Sequence, residues 1–360
     1  MSETETKRVI ETPLAAHHQA AGAKLVEYGG CLLPELFSDF ETEYRAAKEA
    51  AALFDTNWQA VMTFGGRDRV KYLHAITSND VKSLAEKQGV QALLLNPQGH
   101  ILAELEIYAL QDCLLSLSHL SVREQTGATL KKYILGSQVR FEDVSDSIAT
   151  IAMEGPKAAD IIGQATGLSL DGFSERSIAE SAVAGVPCRV IRRSHFGGEG
   201  VELIAPRQHI ELLWSTLHAM LHAVGGKAIG MKTVNTLRLE AGVPWFPADF
   251  NSAMIPHEAG VEISHISYNK GCYTGQEIVE RVRARGQVNK KRVRLKFSSD
   301  TPPEVGTKLR AGGNEIGFVT SAAFSPATGA AIGMGYVRRE QFAPGSKVEY
   351  GGGTAEVIGS

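Results

Sequence analysis

Short stretches of alternating apolar and polar residues run through the first part of the chain and predict β-strands. The clearest are Gln59–Phe64, Gln91–Leu95 and Ile101–Leu110, and Cys113–Leu117 follows at hairpin distance. The sequence Asn96-Pro97-Gln98-Gly99 separates two of these stretches and is a strong turn signal. The pattern therefore predicts strands that are joined by tight turns.

Helical spacing of apolar residues predicts helices between these strands. They are Glu41–Leu53, Arg67–Ile76 and Thr126–Leu135. A similar order recurs later, with strands at Ile148–Met153, Val186–Ile191 and Val201–Ala205, a helix beginning near Pro156 and a helix over Arg207–Val224. Because strands and helices are interleaved twice, we predict an α+β protein with two mixed lobes.

The helical signal ends near residue 286, and short strand candidates separated by Gly and Pro replace it. These candidates are Val293–Phe297, Lys308–Arg310, Glu315–Ser321, Ala331–Val337 and Lys347–Tyr350. They are typical of a small antiparallel barrel or sandwich. We therefore divide the chain into a flexible tail over 1–11, a two-lobed region over 12–285 and a β-domain over 286–360.

The composition excludes several classes of protein. The chain has 360 residues, of which 43% are hydrophobic and 21% are charged, as in a globular protein of two or three domains. Its net charge of −3 does not favour nucleic acid or a membrane surface as a partner. The polar N-terminal sequence lacks the apolar core of a signal peptide, and no window approaches the ~18 apolar residues of a membrane helix. We expect a cytoplasmic protein.

Cysteine and histidine spacing does not predict a metal site or a disulfide framework. Cys31, Cys113, Cys188 and Cys272 are scattered, with no Cys-x-x-Cys pair. The chain also has two histidines four residues apart, at 218 and 222, but no glutamate follows the first of them as in a helical zinc motif. Most of the thiols are therefore expected to be buried and inert.

The most informative segment is the octapeptide Lys270–Glu277, which reads KGCYTGQE. Its two glycines permit a tight turn, and Thr274 and Glu277 have the spacing of a capping box at a helix N-terminus. Gly286 is expected to end the helix that follows. The pattern therefore predicts a sharp turn that leads directly into a helix.

Cys272 and Lys270 lie just before this predicted N-terminus and are the candidate catalytic residues. A helix N-terminus with neighbouring cations favours the thiolate form of a cysteine, so Cys272 is predicted to be the reactive thiol of the chain. The alternative is structural: Cys272 is a packed thiol, Lys270 a solvated cation and Glu277 only a cap.

The octapeptide closely resembles the signature of the YgfZ family, K-G-C-Y-[TIV]-G-Q-E. The preceding Arg238–Gly242 and Ile255–Glu258 are similar to the flanks of that signature. A wider resemblance to the glycine-cleavage T-protein runs from about residue 12 to about residue 340 and includes Leu53-Phe54-Asp55 and Gly317–Ser321. It implies a ring of two mixed α+β lobes and a C-terminal antiparallel β-barrel, with tetrahydrofolate in the central hole.

The same resemblance implies the folate contacts. The T-protein holds the pterin with a glutamate in a Gly-rich strand, and Glu202 is the matching position. A carboxylate can accept two N–H bonds from the edge of a pterin. Glu104 matches an acid of the T-protein run that orients folate, and Tyr273 and Gln276 are further candidate cofactor-binding residues. The alternative for Glu202 is an exposed glutamate on a strand.

Three departures from the T-protein pattern bear on catalysis. The G-G-x-x-D-D run that contains the catalytic aspartate is Gly99–Glu104 here, so Ala103 replaces the first acid and Glu104 alone remains. Val234 occupies the position of an arginine that contacts the cofactor. The S-H-M sequence of the T-protein is Asn57-Trp58-Gln59 in this chain. These changes leave folate binding open and weaken the case for group transfer.

Two hypotheses follow from the resemblance, beside the third possibility of a folate-binding remnant without chemistry. In the first, the chain is a tetrahydrofolate-binding, YgfZ-like factor that assembles or repairs iron–sulfur clusters and acts on iron–sulfur client or assembly proteins. In the alternative, it is a tetrahydrofolate-dependent aminomethyltransferase. The octapeptide favours the first, and whether the chain is an enzyme stays open. Eight cations without an acid over Arg281–Lys296 are a solvated face or a basic rim, the latter for a polyglutamylated folate or an acidic client.

Overall fold

The computed structural model describes residues 9–360, so most of the predicted tail lies outside the described residues. The first part of the chain builds one lobe and begins the second. Its elements are β1 (Ile10–Glu11), α1 (Ala15–Ala20), β2 (Lys24–Tyr28), β3 (Cys31–Leu36), α2 (Phe40–Glu49), β4 (Ala52–Asp55), β5 (Gln59–Gly65), α3 (Arg69–Ile76), β6 (Gly89–Leu95), β7 (Ile101–Ala109), β8 (Leu114–His119), α4 (Arg123–Lys132) and β9 (Arg140–Asp143).

The second part completes the other lobe and ends in short helices. Its elements are β10 (Ile148–Glu154), α5 (Ala158–Thr166), β11 (Ile178–Val183), β12 (Val186–Arg192), β13 (Gly200–Pro206), α6 (Ile210–Ala223), β14 (Lys227–Ala228), α7 (Met231–Ala241), α8 (Pro256–Ala259), α9 (Glu262–His265) and α10 (Gln276–Arg285).

The last part is a closed antiparallel barrel of six strands in the order β15-β18-β17-β16-β19-β20. These strands are β15 (Lys290–Phe297), β16 (Lys308–Ala311), β17 (Asn314–Ser325), β18 (Ala330–Arg338), β19 (Lys347–Tyr350) and β20 (Gly353–Gly359). Closure pairs β15 with both β18 and β20, which leaves no open sheet edge. Leu239 of α7 packs with Ile332 and Met334 of β18, and this is one of the contacts that attach the barrel to the rest of the chain.

Each lobe is built on one large sheet, and β1, β3 and β2 form a separate three-stranded sheet. The sheet of the first lobe has the strand order β6-β7-β8-β5-β9, and that of the second has the order β11-β12-β13-β10-β4-β14. Successive side chains of a strand point to opposite faces of its sheet. On β7, one face carries Ala103, Leu105 and Ile107, which pack with Leu73 in the core of the first lobe. The opposite faces of the two sheets meet in a second apolar cluster that includes Tyr108. The two mixed α+β lobes and the barrel predicted from the sequence are thus confirmed.

The structure differs from the local predictions in one helix and in several strands that were not predicted. The helix predicted over Glu41–Leu53 ends at Glu49, and Ala52–Asp55 forms the fully buried strand β4. An Ala-rich apolar run does not distinguish a buried helix from a buried strand, and pairing with β10 and β14 decides the outcome. Strand β20 was not among the strand candidates that the sequence indicated. Within residues 9–360 no helix has the length and apolarity that crossing a membrane requires.

Candidate active site

A cavity of about 480 Å³ lies between the two lobes and the segment that precedes the barrel. We call it the interlobe cavity, and it continues into a narrower pocket beside Gln59 and Phe246. The walls shared by the cavity and the pocket are Glu104, Glu106, Arg193, His195 and Trp245. A volume of this size suits a small organic cofactor, for which pockets of roughly 300–1,000 Å³ are usual.

Side chains alternate between the two faces of β7, and this alternation decides which residue of the run faces the cavity. Ala103 is fully buried in the apolar core of the first lobe, whereas Glu104 points to the opposite side and lines the cavity. Although Ala103 replaces an acid, a carboxylate therefore still lines the cavity, because Glu104 provides it. For this reason, Ala103 does not count against group transfer in the way that the sequence suggested.

Glu104 is held in place by a histidine from another part of the chain. Its Oε1 lies 2.8 Å from Nε2 of His265, at the end of α9. The His265 side chain is 5% exposed and that of Glu104 is 25% exposed. His265 is therefore buried within the protein, whereas Glu104 faces the cavity. The Oε2 atom of Glu104 makes no hydrogen bond to any residue in 9–360. It is available to a ligand.

Glu202 lies behind the cavity wall. It is fully buried on β13, and its carboxylate accepts hydrogen bonds from Thr56 Oγ1 at 3.0 Å, from the Gln59 amide and from the Arg193 guanidinium. His195 Nε2 is 3.2 Å from the same carboxylate. Direct contact with a pterin would require one of these donors to move. The pterin-binding role of Glu202 stays a prediction, and the exposed-strand alternative is wrong.

Arg193 joins two buried acids. Its guanidinium contacts Glu202, and its Nε is 3.2 Å from Oε2 of Glu106, which also accepts a 2.6 Å hydrogen bond from Tyr108. Burial raises the pKa of Glu106, but the charge of Arg193 outweighs this effect and the net shift is downward. Both glutamates are thus held ionised around one cation, which fixes the polar wall of the cavity.

Aromatic rings form the apolar wall. The ring centroids of Tyr28, Trp58 and Trp245 lie 5.5 to 6.1 Å from one another, and all three line the narrow pocket. Val234 is fully buried in the cluster that contains Trp58, so no cation reaches the cavity from this position. Tyr28 meets both tryptophans edge to face, and the two indole rings are tilted by 36° to each other. Aromatic rings beside carboxylates suit a planar ring system with N–H groups on its edge.

The octapeptide has a structural role at its helix. Helix α10 begins at Gln276, and its N-cap is Gly275 with φ +84° and no side-chain cap, so the capping box predicted at Thr274 is wrong. A Cβ on Gly275 would lie 2.7 Å from the carbonyl oxygen of Asn96. The helix therefore packs directly on the turn after β6, and only glycine allows both the close approach and the backbone angle. Gly286 ends the helix in the left-handed conformation, as predicted.

Lys270 and Tyr273 are also engaged in the fold. The Lys270 ammonium is largely buried and donates to the carbonyl oxygens of His74 and Thr77, and it lies 4.8 Å from the centroid of the Tyr273 ring. Burial lowers the pKa of Lys270 to about 8. Tyr273 packs in an apolar cluster with Leu93. The prediction of a solvated Lys270 is wrong, because the side chain bonds the end of α3.

The predicted site residues therefore separate into two groups. Glu104 and Glu202 lie at or directly behind the interlobe cavity, whereas Cys272 is exposed and is not among the residues that line it. Neither Lys270 nor Gln276 lines the cavity. The structure does not bring the two groups together, and the catalytic roles given to Cys272 and Lys270 stay predictions.

Sequence reasoning missed the partners that surround these glutamates. Arg193 and His195 follow strand β12 in a loop without a recognisable motif, and His265 lies on a helix of four residues. One signal was present: Glu104 and Glu106 are spaced by two in an otherwise apolar strand. This spacing places both acids on one face, opposite the core.

Comparison with known proteins agrees with this arrangement. Residues 14–268 match the model of the GCVT N-terminal domain, and residues 290–357 match that of the glycine cleavage T-protein C-terminal barrel domain. A protein of Desulforamulus reducens is 28% identical over 328 residues, which are 91% of this chain and 89% of that protein. A protein of Streptomyces coelicolor is 28% identical over 350 residues, or 96% and 93% of the two chains. Both are named aminomethyltransferase.

A solved structure shares the fold. The glycine cleavage system aminomethyltransferase T from Bartonella henselae superimposes with a TM-score of 0.88 and covers 97% of both chains at 24% identity. The curated relatives are named for aminomethyl transfer and contradict the iron–sulfur hypothesis. That hypothesis, with its iron–sulfur clients, is therefore wrong as the main interpretation of the octapeptide, and the alternative is favoured.

Proposed function

The chain belongs to the glycine cleavage T-protein family, and from this membership we propose that it is a tetrahydrofolate-dependent aminomethyltransferase. Aminomethyltransferases of this family use tetrahydrofolate, in agreement with the cofactor expected from the sequence. Within the family, the octapeptide supports placing the chain near the YgfZ-like members. This placement is a statement about evolutionary relationship only, and we do not propose an iron–sulfur function from it.

One observation carries the proposal. Glu104 presents a carboxylate to the interlobe cavity at the only position of the family's two-acid run that faces it, since its neighbour Ala103 faces the core. His265 holds one oxygen of this carboxylate and leaves the other toward the cavity. A carboxylate fixed in this way can orient an N–H group and accept its proton.

The residues around the cavity fit the cofactor. The aromatic wall of Tyr28, Trp58 and Trp245 suits the planar part of tetrahydrofolate, and the amide of Gln59 lies beside it. When bound, tetrahydrofolate would supply the two N–H nitrogens that take up the one-carbon unit, with ammonia and the carrier thiol as the leaving groups. Glu104 would orient one of these nitrogens and take up its proton, while the aromatic wall excludes water from the reacting groups.

Arg193 contributes to the site as a positioning residue. It holds Glu106 and Glu202 ionised, and the two acids in turn keep its guanidinium at the cavity wall. Because every member of this cluster is hydrogen-bonded, the wall keeps its shape while the cavity is filled. We infer that Glu202 acts on the cofactor through Gln59 and Arg193, which both line the narrow pocket next to the interlobe cavity.

Incubation of the protein with an aminomethylated carrier protein and tetrahydrofolate tests the proposal. The expected product is methylene-tetrahydrofolate, formed with multiple turnovers. Calorimetry is expected to give a dissociation constant of about 1–100 μM for tetrahydrofolate, which is roughly −8 to −5 kcal/mol. Binding of tetrahydrofolate without product formation would mean that the chain binds folate but is not a transferase. No heat of binding at millimolar tetrahydrofolate would contradict the proposed function altogether.

A further inference from the structure

Arg292 is a buried cation without a partner anion at the interlobe cavity. The residue is 4% exposed and lines the cavity from β15. Its Nε donates to the carbonyl oxygen of Ala259 at 2.8 Å, and its Nη1 lies 3.3 Å from the sulfur of Met334. Across residues 9–360, neither a side-chain carboxylate nor the C-terminal carboxylate of Ser360, which also lines the cavity, comes within the 4.0 Å of an ion pair with Arg292. The guanidinium is therefore held in place but not neutralised.

The other buried arginines of the site differ from Arg292 in this respect. Arg193 contacts two glutamates, and Arg238 pairs with Asp249. Asp249 also attracts Arg292 at longer range, but its oxygens are already taken by Arg238, Thr320 and Ser321. Burial lowers the pKa of Arg292, which means that its surroundings disfavour the charge. A buried charge of this kind is destabilising unless an anion is supplied.

The chain leaves space for that anion. Gly260, which also lines the cavity, is beside the guanidinium, and a Cβ added there would be 3.4 Å from Nη2 of Arg292. The backbone φ of +67° at this residue further favours glycine. An anion that approaches from the cavity would therefore meet the guanidinium fork without a side chain in its way.

We propose that Arg292 binds the carboxylate of the glutamyl part of tetrahydrofolate, an inference that rests on the proposed function and assigns one end of the cofactor. Folate carries N–H donors on its pterin and carboxylates at its other end. Two groups of the cavity match these ends, because Glu104 leaves one carboxylate oxygen toward it and Arg292 lines it without a carboxylate partner, whereas Glu106 is already paired with Arg193. A guanidinium fork can bind a carboxylate with two parallel hydrogen bonds.

The neighbouring cations of the basic run do not share this role. Lys291 points to a different cavity, which it lines with Tyr268 and Phe342. Arg294 donates to the carbonyl oxygen of Glu240 at 2.9 Å, and Arg281 pairs with Glu277 at 2.6 Å. The basic rim suggested by the sequence is thus dispersed over several surfaces. Only Arg292 combines burial, a place at the interlobe cavity and a missing anion among the described residues.

Calorimetric titration with two ligands tests this inference. Tetrahydrofolate and tetrahydropteroate, which lacks the glutamate, are titrated into the wild type, Arg292→Met and the control Lys291→Met. The wild type and Lys291→Met are expected to bind tetrahydrofolate about 10-fold to 100-fold more tightly than tetrahydropteroate, the range of a charge-assisted hydrogen bond. Arg292→Met is expected to bind the two ligands within about twofold of each other.

Two results would overturn the inference: equal affinity of the wild type for both ligands, or an unchanged preference in Arg292→Met. The first result would leave the proposed function intact, whereas failure of both ligands to bind the wild type would remove that function as well. Thermal unfolding of the ligand-free variants gives a second readout. Arg292→Met is expected to melt at or above the wild-type temperature, since it removes an unneutralised buried charge. If Arg292→Met melts well below the wild type, Arg292 stabilises the fold itself, and this result would contradict its assignment to the ligand.

Discussion

Oε1 of Glu104 and Nε2 of His265 lie 2.8 Å apart, and this contact connects the first lobe to the segment that precedes the barrel. The two residues are 161 positions apart in the sequence. The contact orients one oxygen of the Glu104 carboxylate toward protein and leaves the other for the cavity. Its effect on function can be tested separately from the effect of the carboxylate itself.

His265→Phe is expected to lower the rate of aminomethyl transfer by about 10-fold to 100-fold, because a small displacement of Glu104 misaligns it with the reacting nitrogen. His265→Gln keeps a donor near Glu104 and should restore most of the rate. The Michaelis constant for tetrahydrofolate should change little in both variants. Equal losses in the two variants, or a loss only in affinity, would show that His265 does not position Glu104.

Ala103→Asp is expected to destabilise the protein and to leave transfer no faster. Position 103 is fully buried among Leu73, Leu105 and Ile107, so a carboxylate there has no partner. An uncompensated buried charge of this kind reduces the free energy of unfolding by about 3 to 5 kcal/mol. Urea unfolding measures the change, with Ala85→Asp on the exposed surface as the control. A faster enzyme of unchanged stability would mean that position 103 faces the cavity.

Acid should weaken the buried Glu202 cluster. Burial raises the pKa of Glu202, but the Arg193 charge and the His195 hydrogen bond outweigh it and lower the pKa from 4.5 to about 2. Because the folded pKa is depressed, the ionised carboxylate stabilises the fold above about pH 4.5, and this contribution is lost as the pH falls toward 2.

The comparison that isolates this effect is between the wild type and Glu202→Gln. Their difference in unfolding free energy should be constant from about pH 8 to pH 5 and should shrink below pH 4.5. Glu142→Gln, on the exposed strand β9, serves as the control and should show little difference at any pH. A difference for Glu202→Gln that does not vary between pH 5 and pH 2 would contradict the ion pairing with Arg193.

Cys272→Ser is expected to keep the transfer rate within about twofold of the wild type. The thiol is exposed and is not among the residues that line the interlobe cavity, so the proposed reaction has no step for it. Carrier-dependent formation of methylene-tetrahydrofolate measures the rate. A loss of more than 100-fold in the serine variant would instead support the catalytic role predicted for Cys272 from the sequence.

Much of the fold was predictable because alternating apolar and polar residues in a strand indicate which side chains face the core and which do not. Strands β5 to β8 and five of the barrel strands follow from their period of two, and Asn96–Gly99 forms the expected turn. Strand β4 was not predictable from its own residues, since all four positions are buried and the segment continues an Ala-rich run. Its identity as a strand depends on pairing with β10, nearly 100 residues later.

The functional site was predictable only in part. The octapeptide has unusual chemistry, but the structure uses it to seat α10: Gly275 approaches Asn96, Lys270 bonds the end of α3, and Tyr273 fills an apolar cluster. A sequence pattern does not distinguish such packing demands from catalysis. Glu104 was identified by resemblance, whereas its partner His265 becomes visible only when the chain is folded.

Single-turnover transfer by the wild type and by Glu104→Gln tests the central claim most directly. Both proteins are mixed with saturating tetrahydrofolate and aminomethylated carrier, and methylene-tetrahydrofolate is followed with time. The wild type should form product, and Glu104→Gln should be slower by about 100-fold to 10,000-fold, as for loss of a general acid–base group, while its dissociation constant for tetrahydrofolate stays within a few-fold of the wild type. Product formation at equal rates in both proteins, or in neither, would contradict a folate-dependent transferase that acts through Glu104.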